Sequence, residues 1–356
     1  MSALAVLAVV AVLQGAFLVL LVVFVAVRRQ VDRIRESTFA DRHLEIYEPM
    51  NAWLAGTGPI DAFVSALRAL PGTSALGVTG HLAHTAIPPA SRNELAVALR
   101  NELWVQSALA GGHSRRWGRR LEAARCLALA GTPADGEMLE RLLKDKRPAV
   151  AVAAVSALPR VADARLVGSL LDRLATLPNV VRLFLQSTLR DLRTIVEPAL
   201  IERLATDAPA TTLARWTEMA GALELAAALD RVLLLADHPD PEVREAVAHA
   251  LRRAPRKRTM DVLHLLLRDP VTEVRAAAAH SLGELGSTAA IPGLLVAVHD
   301  PAWNVRFRST LALTQLGEAG RAAVRSLRTD DDRYVADMAT LIAGLGDGSL
   351  FDMVES

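Results

Sequence analysis

Apolar positions recur every 31 residues through the last two thirds of the chain. Val150, Val181, Thr212, Val243, Val274 and Val305 keep that interval without a slip. Eight residues beyond each stands Leu158, Leu189, Ala220, Leu251, Leu282 or Leu313. A second column runs Leu139, Leu170, Ile201, Val232, Leu263, Leu294, with Leu143, Leu174, Ala205, Ala236, Leu267 and Val298 four residues on. Such spacings place apolar side chains on one face of a helix. Each period then holds two helices, and one pair alone is too small to bury its apolar face. Stacking supplies the core. The expected fold is all-α, a right-handed α-solenoid of five to seven helix pairs.

At 356 residues the chain exceeds the usual size of one compact core, a limit that a solenoid escapes by growing in one dimension. Lys and Arg number 40 against 39 Asp and Glu, a net charge of +1. That balance argues against a nucleic-acid coat, so no nucleic-acid partner is expected. Aromatic residues make up 4%, leaving few platforms on which bases or sugars could stack.

From Ala3 to Val27 only Gln14 and Gly15 interrupt an apolar run. As a helix it spans roughly 37 Å, enough to cross a hydrocarbon layer of about 30 Å with some tilt. A cleaved signal peptide is the competing reading. Against it stand the missing basic n-region, the length of the apolar part and the absence of a small-x-small site before Arg28. Arg28, Arg29, Arg33 and Arg35 follow directly, which by the positive-inside rule leaves the rest of the chain in the cytoplasm. The single cysteine, Cys126, fits a reducing compartment. The expected location is the cell inner membrane, crossed once, with the bilayer held through residues 3–27 and the C-terminal domain cytoplasmic.

The resulting organisation is a transmembrane anchor over 1–28, a juxtamembrane and helical adaptor or N-cap region over 29–110, the solenoid over 111–346 and a polar tail over 347–356. Within the adaptor, Ser91 and Glu94 have the spacing of a capping box for a helix running to about Leu109. Inside the repeats, Asp240-Pro241, Asp269-Pro270 and Asp300-Pro301 precede the second helices. Aspartate can accept from the orphan N–H groups there, and proline fits a first helical turn.

The stretches DPEVREAVAHAL (Asp240 to Leu251), DPVTEVRAAAAHSLGELG (Asp269 to Gly286) and DPAWNVRFRSTLALTQLG (Asp300 to Gly317) resemble HEAT repeats in their short bacterial form. The likeness covers about Trp117 to Gly344. The repeats around Val181 and Thr212 lack the Asp-Pro turn, which marks them as the place for altered curvature. Anchor, arginine cluster, the Trp117 to Arg120 start and the degenerate Asp331 to Gly344 end together resemble bacterial membrane-anchored HEAT-repeat proteins. Members of that group are typically encoded beside family-2 membrane glycosyltransferases of envelope or exopolysaccharide assembly. The resemblance implies a scaffold or regulatory partner for such an enzyme.

Second helices of a solenoid line its inner face. With Val243 as position zero, offsets of two, five, six and nine should point away from the core. Candidate partner-binding residues are Glu218, Glu245, His249, His280 and Phe307. His249 and His280, one repeat apart, should stand roughly 10 Å from one another, too far to share a metal without rearrangement. Arg252, Arg253, Arg256, Lys257 and Arg258 form a basic patch in a loop broken by Pro255, suited to anionic headgroups or an acidic partner. Arg244, Arg275 and Arg306 are expected in exposed inter-repeat ion pairs worth about 0–1 kcal/mol each.

No glycine-rich phosphate loop, Cys-x-x-Cys or His-Glu-x-x-His pattern is present, so no catalytic residue, metal or cofactor is assigned. The expected function is a non-catalytic membrane-tethered scaffold or regulatory protein. Its partner would be a membrane protein, a polysaccharide-forming family-2 glycosyltransferase on the resemblance above. The alternative is a HEAT-like enzyme of the bilin lyase or DNA glycosylase type.

Overall fold

The computed structural model describes residues 45–70, 75, 77–79, 88–254 and 257–344. The anchor segment 3–27, its flanking arginines, the 347–356 tail and Arg256 lie outside them. Among the described residues no helix is long and apolar enough to cross a membrane. All regular elements described are helical, and they divide into two compact units after Ala110.

In the first unit the helix Ile60–Arg68 buries Phe63, Val64 and Leu67. Trp53 stacks on Phe63 with ring centroids 5.8 Å apart. The expected capping box is not formed. Pro89 stands at the start of the helix Pro89–Arg100 with Pro88 as its N-cap and no side-chain cap, which places Ser91 inside the first turn. Glu94 instead accepts from the Trp53 indole N–H at 3.0 Å. The helix ends at Asn101, and a new one, Leu103–Ala110, begins beyond it. At that joint Glu102 is buried and accepts from Arg68 at 2.7 Å.

The second unit opens with the helix Trp117–Ala130 and continues as seven helix pairs among the described residues, ending with Gly317–Leu327 and Arg333–Gly344. Second helices stack on one another as an inner layer, while the first helices pack outside them. This is an α-solenoid whose core is the predicted pair of columns. Val150, Val181, Val243, Val274 and Val305 are at most 1% exposed, and Leu158, Leu189, Ala220, Leu251, Leu282 and Leu313 are fully buried.

Close approach of the inner helices depends on small residues. A Cβ on Gly221 would fall 2.4 Å from the Ala250 Cα, and one on Gly283 would fall 2.8 Å from the Ala312 Cα. Between those two tight pairs, Arg252 occupies the position that Gly221 and Gly283 hold in their own repeats. The helices Pro241–Leu251 and Thr272–Glu284 accordingly pack less closely than the pairs on either side.

The repeats lacking Asp-Pro depart from the pattern. The helix Arg193–Leu204 buries Val196, Leu200 and Leu204, while Ile201 is only partly buried and Ala205 exposed. The 3-10 turn Arg190–Leu192 runs directly into this helix. The buried face is thereby shifted by one residue, which is a rotation of about 100°. Pro198 within the helix also removes one ladder hydrogen bond.

The inner helices Asn179–Leu189 and Ala210–Ala222 do not pack along their length as their neighbours do. Trp216 fills this joint, nearly buried, donating its indole N–H to the Leu171 carbonyl at 2.7 Å. Arg190 donates to the Ala222 carbonyl at 3.3 Å and Arg193 to that of Glu224 at 2.9 Å.

The arginine column is more buried than its expectation as an exposed ladder. Arg244 grips Asp269 through two bonds, 2.6 and 2.9 Å long, and Arg275 grips Asp300 at 2.7 and 2.9 Å. Side-chain exposure is only 11% and 5% for the first pair, and 13% and 10% for the second. Each guanidinium also donates back to two carbonyls of the turn before its own helix: His238 and Pro239 for Arg244, Asp269 and Pro270 for Arg275. Arg120 repeats the arrangement with Asp145, Ser114 and Arg115. Of the three Asp-Pro aspartates, only Asp240 caps the helix directly, accepting from Glu242. Asp269 and Asp300 accept from Val271 and Ala302, one turn residue before their helices begin at Thr272 and Trp303.

Arg306 breaks the series. It keeps the backbone contacts to Asp300 and Pro301, but its Nε is buried without a hydrogen-bond partner. The guanidinium lies 5.7 Å from the Tyr334 ring centroid instead of on a carboxylate. The turn ahead is one residue shorter, so Asp330 takes the role of Asp300 in accepting from the residue two on, and His299 contacts Asp330 at 3.2 Å.

Candidate protein-binding groove

Where Arg252 holds the inner helices apart, the inner layer opens into a groove of about 940 Å³. Its wall comes from Pro241–Leu251, Thr272–Glu284 and Trp303–Gln315. Glu245, His249 and His280 line it together, joined by Arg252, Arg253, Glu273, Glu284 and Arg308. The face is narrower than its expectation from helical offsets. Thr217, Ala248, Ala279 and Thr310, at offset five, are buried, because that flank is covered by the next inner helix.

The two histidines meet more closely than the repeat spacing implies, with ring centroids 6.4 Å apart in an edge-to-face arrangement. Side chains on adjacent helices converge across the widened gap. The His280 Nε2 lies 3.1 Å from a Glu284 oxygen, and the His249 Nε2 lies 3.8 Å from one of Glu245. Burial lowers the pKa of both rings below the ordinary value, with Arg252 adding to it at His249 and Arg308 at His280. Among the described residues no three His, Cys, Asp or Glu side chains converge in a way that could hold a metal.

The groove carries both signs of charge. Glu242, Glu245 and Glu273 stand toward the N-terminal ends of their inner helices, and Arg252 and Arg253 at the C-terminal end of theirs. These five charges complement the helix macrodipole, whereas Glu284 ends Thr272–Glu284 and Arg308 stands in the first half of Trp303–Gln315. Glu218, in the preceding repeat, accepts from Arg215 at 2.6 Å, and Arg215 also reaches Glu242 at 3.7 Å. Burial, followed by the carboxylates of Glu273, Glu218 and Glu242, pushes the Glu245 carboxyl above its ordinary pKa.

Phe307 is placed elsewhere. It packs against the buried cluster of Leu311, Met338 and Ile342 and stacks on Trp303 at 5.2 Å. The last helix covers the groove-side positions of its repeat, so Phe307 is a core contact. The basic patch is also divided. Arg252 and Arg253 approach Glu284 at 3.7 and 4.0 Å, whereas Lys257 and Arg258 begin the helix Lys257–Leu266 rather than lie in a loop. Cys126 is buried, and burial pushes its thiol up to about 12.

One surface escaped the sequence reading. Val180, Leu183 and Phe184 are 52%, 65% and 49% exposed. They occupy offsets minus one, two and three from Val181, the positions that Glu273, Ala276 and Ala277 hold around Val274 on the groove wall. The signal was present as large apolar residues on a face that is small or charged in neighbouring repeats.

A search of curated proteins finds no match. Among solved structures, the chain is similar to Kap95p bound to RanGDP at 13% identity, over 88% of this chain and 52% of that one, with a TM-score of 0.48. It is similar to an engineered protein at 18% identity, over 81% and 89%, with a TM-score of 0.33. A third is the CpcE–CpcF complex of phycocyanin lyase from Nostoc sp., at 21% identity over 68% and 94%, with a TM-score of 0.32. Likeness at this level does not bear on function. Residues 259–343 match the HEAT repeats family, which makes the C-terminal pairs of the solenoid, including two of the three groove helices, a HEAT-repeat array.

Proposed function

We propose that the chain is a non-catalytic scaffold or regulatory protein that binds a protein partner along its inner layer. The observation that supports this is a groove whose wall is shared by side chains of three successive repeats. A surface of that kind suits an extended partner, since recognition accumulates repeat by repeat.

The finer reading rests on the sequence and on the family resemblance. Residues 3–27 anchor the chain in the cell inner membrane, with the right-handed solenoid in the cytoplasm. The partner is an integral membrane protein, a polysaccharide-forming family-2 glycosyltransferase. Tethering to the bilayer raises the effective concentration of the groove near such a partner.

Co-purification of the full chain from mild detergent tests the proposal. An integral membrane protein should be recovered and should be lost with Glu218→Lys/Glu245→Lys, while helical content and melting stay unchanged. If no partner is recovered and the isolated chain turns over a substrate, the scaffold reading fails.

A further inference from the structure

Deepening the scaffold reading and resting on it, the inner layer also carries information about what kind of segment it binds. Two features of that face stand in adjacent repeats. Val180, Leu183 and Phe184 present large apolar side chains to solvent, spaced at i, i+3 and i+4 so that they form one continuous strip. Clustered apolar exposure of this kind marks an interaction site more often than scattered single residues do. The strip lies at the joint where the inner helices Asn179–Leu189 and Ala210–Ala222 part, leaving that face uncovered by the next helix.

Beyond the joint the face becomes acidic. Glu218, Glu242, Glu245 and Glu273 supply four carboxylates with one arginine, Arg215, paired among them, while Arg252, Arg253 and Arg308 line the groove with Glu284. Burial first, and then repulsion from the carboxylates of Glu273, Glu218 and Glu242, raises the Glu245 carboxyl. An approaching cation would relieve that repulsion. An anionic bilayer or a nucleic acid would add to it, since both present negative charge. The combination therefore selects a polypeptide.

We propose that the inner layer binds a linear segment of its protein partner in which a cluster of large apolar side chains is followed by basic residues, the apolar cluster seated on Val180, Leu183 and Phe184 and the basic residues against Glu218 and Glu245. Packed inner helices stand roughly 10 Å apart and those at this joint part, so anchor and first cation lie one to two repeats away, at a minimum of roughly 10–20 Å. That is about two to four turns of a helical segment. The apolar half supplies most of the binding energy, as buried aromatic and aliphatic anchors do elsewhere. The acidic half sets orientation and on-rate.

The test uses the full chain in mild detergent and three fluorescein-labelled synthetic peptides. One carries a Leu/Phe cluster followed by lysines, one has glutamates in place of the lysines, and one has serines in place of Leu and Phe. Fluorescence anisotropy should show binding of the first alone. Leu183→Ser/Phe184→Ser and Glu218→Lys/Glu245→Lys should each weaken it about tenfold or more, and added salt should weaken the wild-type complex. Leu183 and Phe184 are exposed and Glu218 and Glu245 half-buried at the edge of the face, so circular dichroism and melting should match the wild type. Equal binding of the glutamate peptide, no binding of the lysine peptide, or unchanged affinity in both variants would overturn the proposal. So would sedimentation showing a homodimer that Leu183→Ser/Phe184→Ser dissolves, because a second copy would then occupy the strip. If the native partner is lost with Glu218→Lys/Glu245→Lys but still co-purifies with Leu183→Ser/Phe184→Ser, this inference fails while the scaffold reading stands.

Discussion

At the scale of single residues, the repeats are held in register by buried charge. Arg244–Asp269 and Arg275–Asp300 are largely withdrawn from water, and their remaining donors are spent on backbone carbonyls. Burial is the largest single influence on the Asp269 and Asp300 carboxyls and would raise them, but the arginine hydrogen bonds, the backbone N–H bonds from Val271 and Ala302 and the nearby guanidinium charges together hold both below their ordinary values. Removing one member leaves an uncompensated charge between helices. Arg275→Ala should therefore cost about 3 kcal/mol in urea unfolding, whereas replacing both members with apolar residues of similar size should restore much of the loss. A second residue-scale consequence concerns His249 and His280, whose pKa values are lowered from 6.5 in the folded chain. Their contribution to stability is present above the unfolded value of 6.5. It is lost as pH falls below it, because the unfolded chain then takes up protons that the folded chain resists. The unfolding midpoint should drop as pH falls below 6.5, and His249→Gln/His280→Gln should flatten that slope.

At the scale of elements, helix ends and helix faces record where the repeat rule holds and where it yields. The valine and leucine columns were legible because a 31-residue interval leaves the inner helices no choice of face, and Val274 and Leu282 are fully buried as that requires. The rotation of Arg193–Leu204 was not legible. It arises from a 3-10 turn that absorbs the usual loop, and no residue type announces such a turn. The 6.4 Å approach of His249 and His280 was hidden for a related reason. Sequence gives the helix spacing, while side-chain convergence follows from the gap at Arg252. Phe307 carried the right offset but met a final helix that closes over it. One end retains strain: Glu224 closes Ala210–Ala222 at φ 53°, where the Leu225 N–H bonds to the Ala220 carbonyl at 3.1 Å. This is the left-handed position that usually takes glycine after a helix. Glu224→Gly should stabilise the fold by about 1 kcal/mol in thermal or urea unfolding, through relief of the Cβ clash. An unchanged or lower midpoint would mean that the Glu224 side chain has a role of its own.

At the scale of the whole molecule, the proposed scaffold meets its protein partner on the inner layer and not on the outer one. Leu234, Leu265 and Val296 form an exposed 31-residue column on the outer helices, so apolar exposure alone does not separate the two faces. What separates them is the groove, with its charge and its histidines, on the inner side. Site-specific photo-crosslinking in the native host compares the faces directly, with p-benzoylphenylalanine placed singly at Phe184, His280 or Leu265. Phe184 and His280 should give an adduct with the same partner protein, and Leu265 should give none. Adducts from Leu265 alone, or none from either inner position, would contradict the assignment of the inner layer as the binding surface.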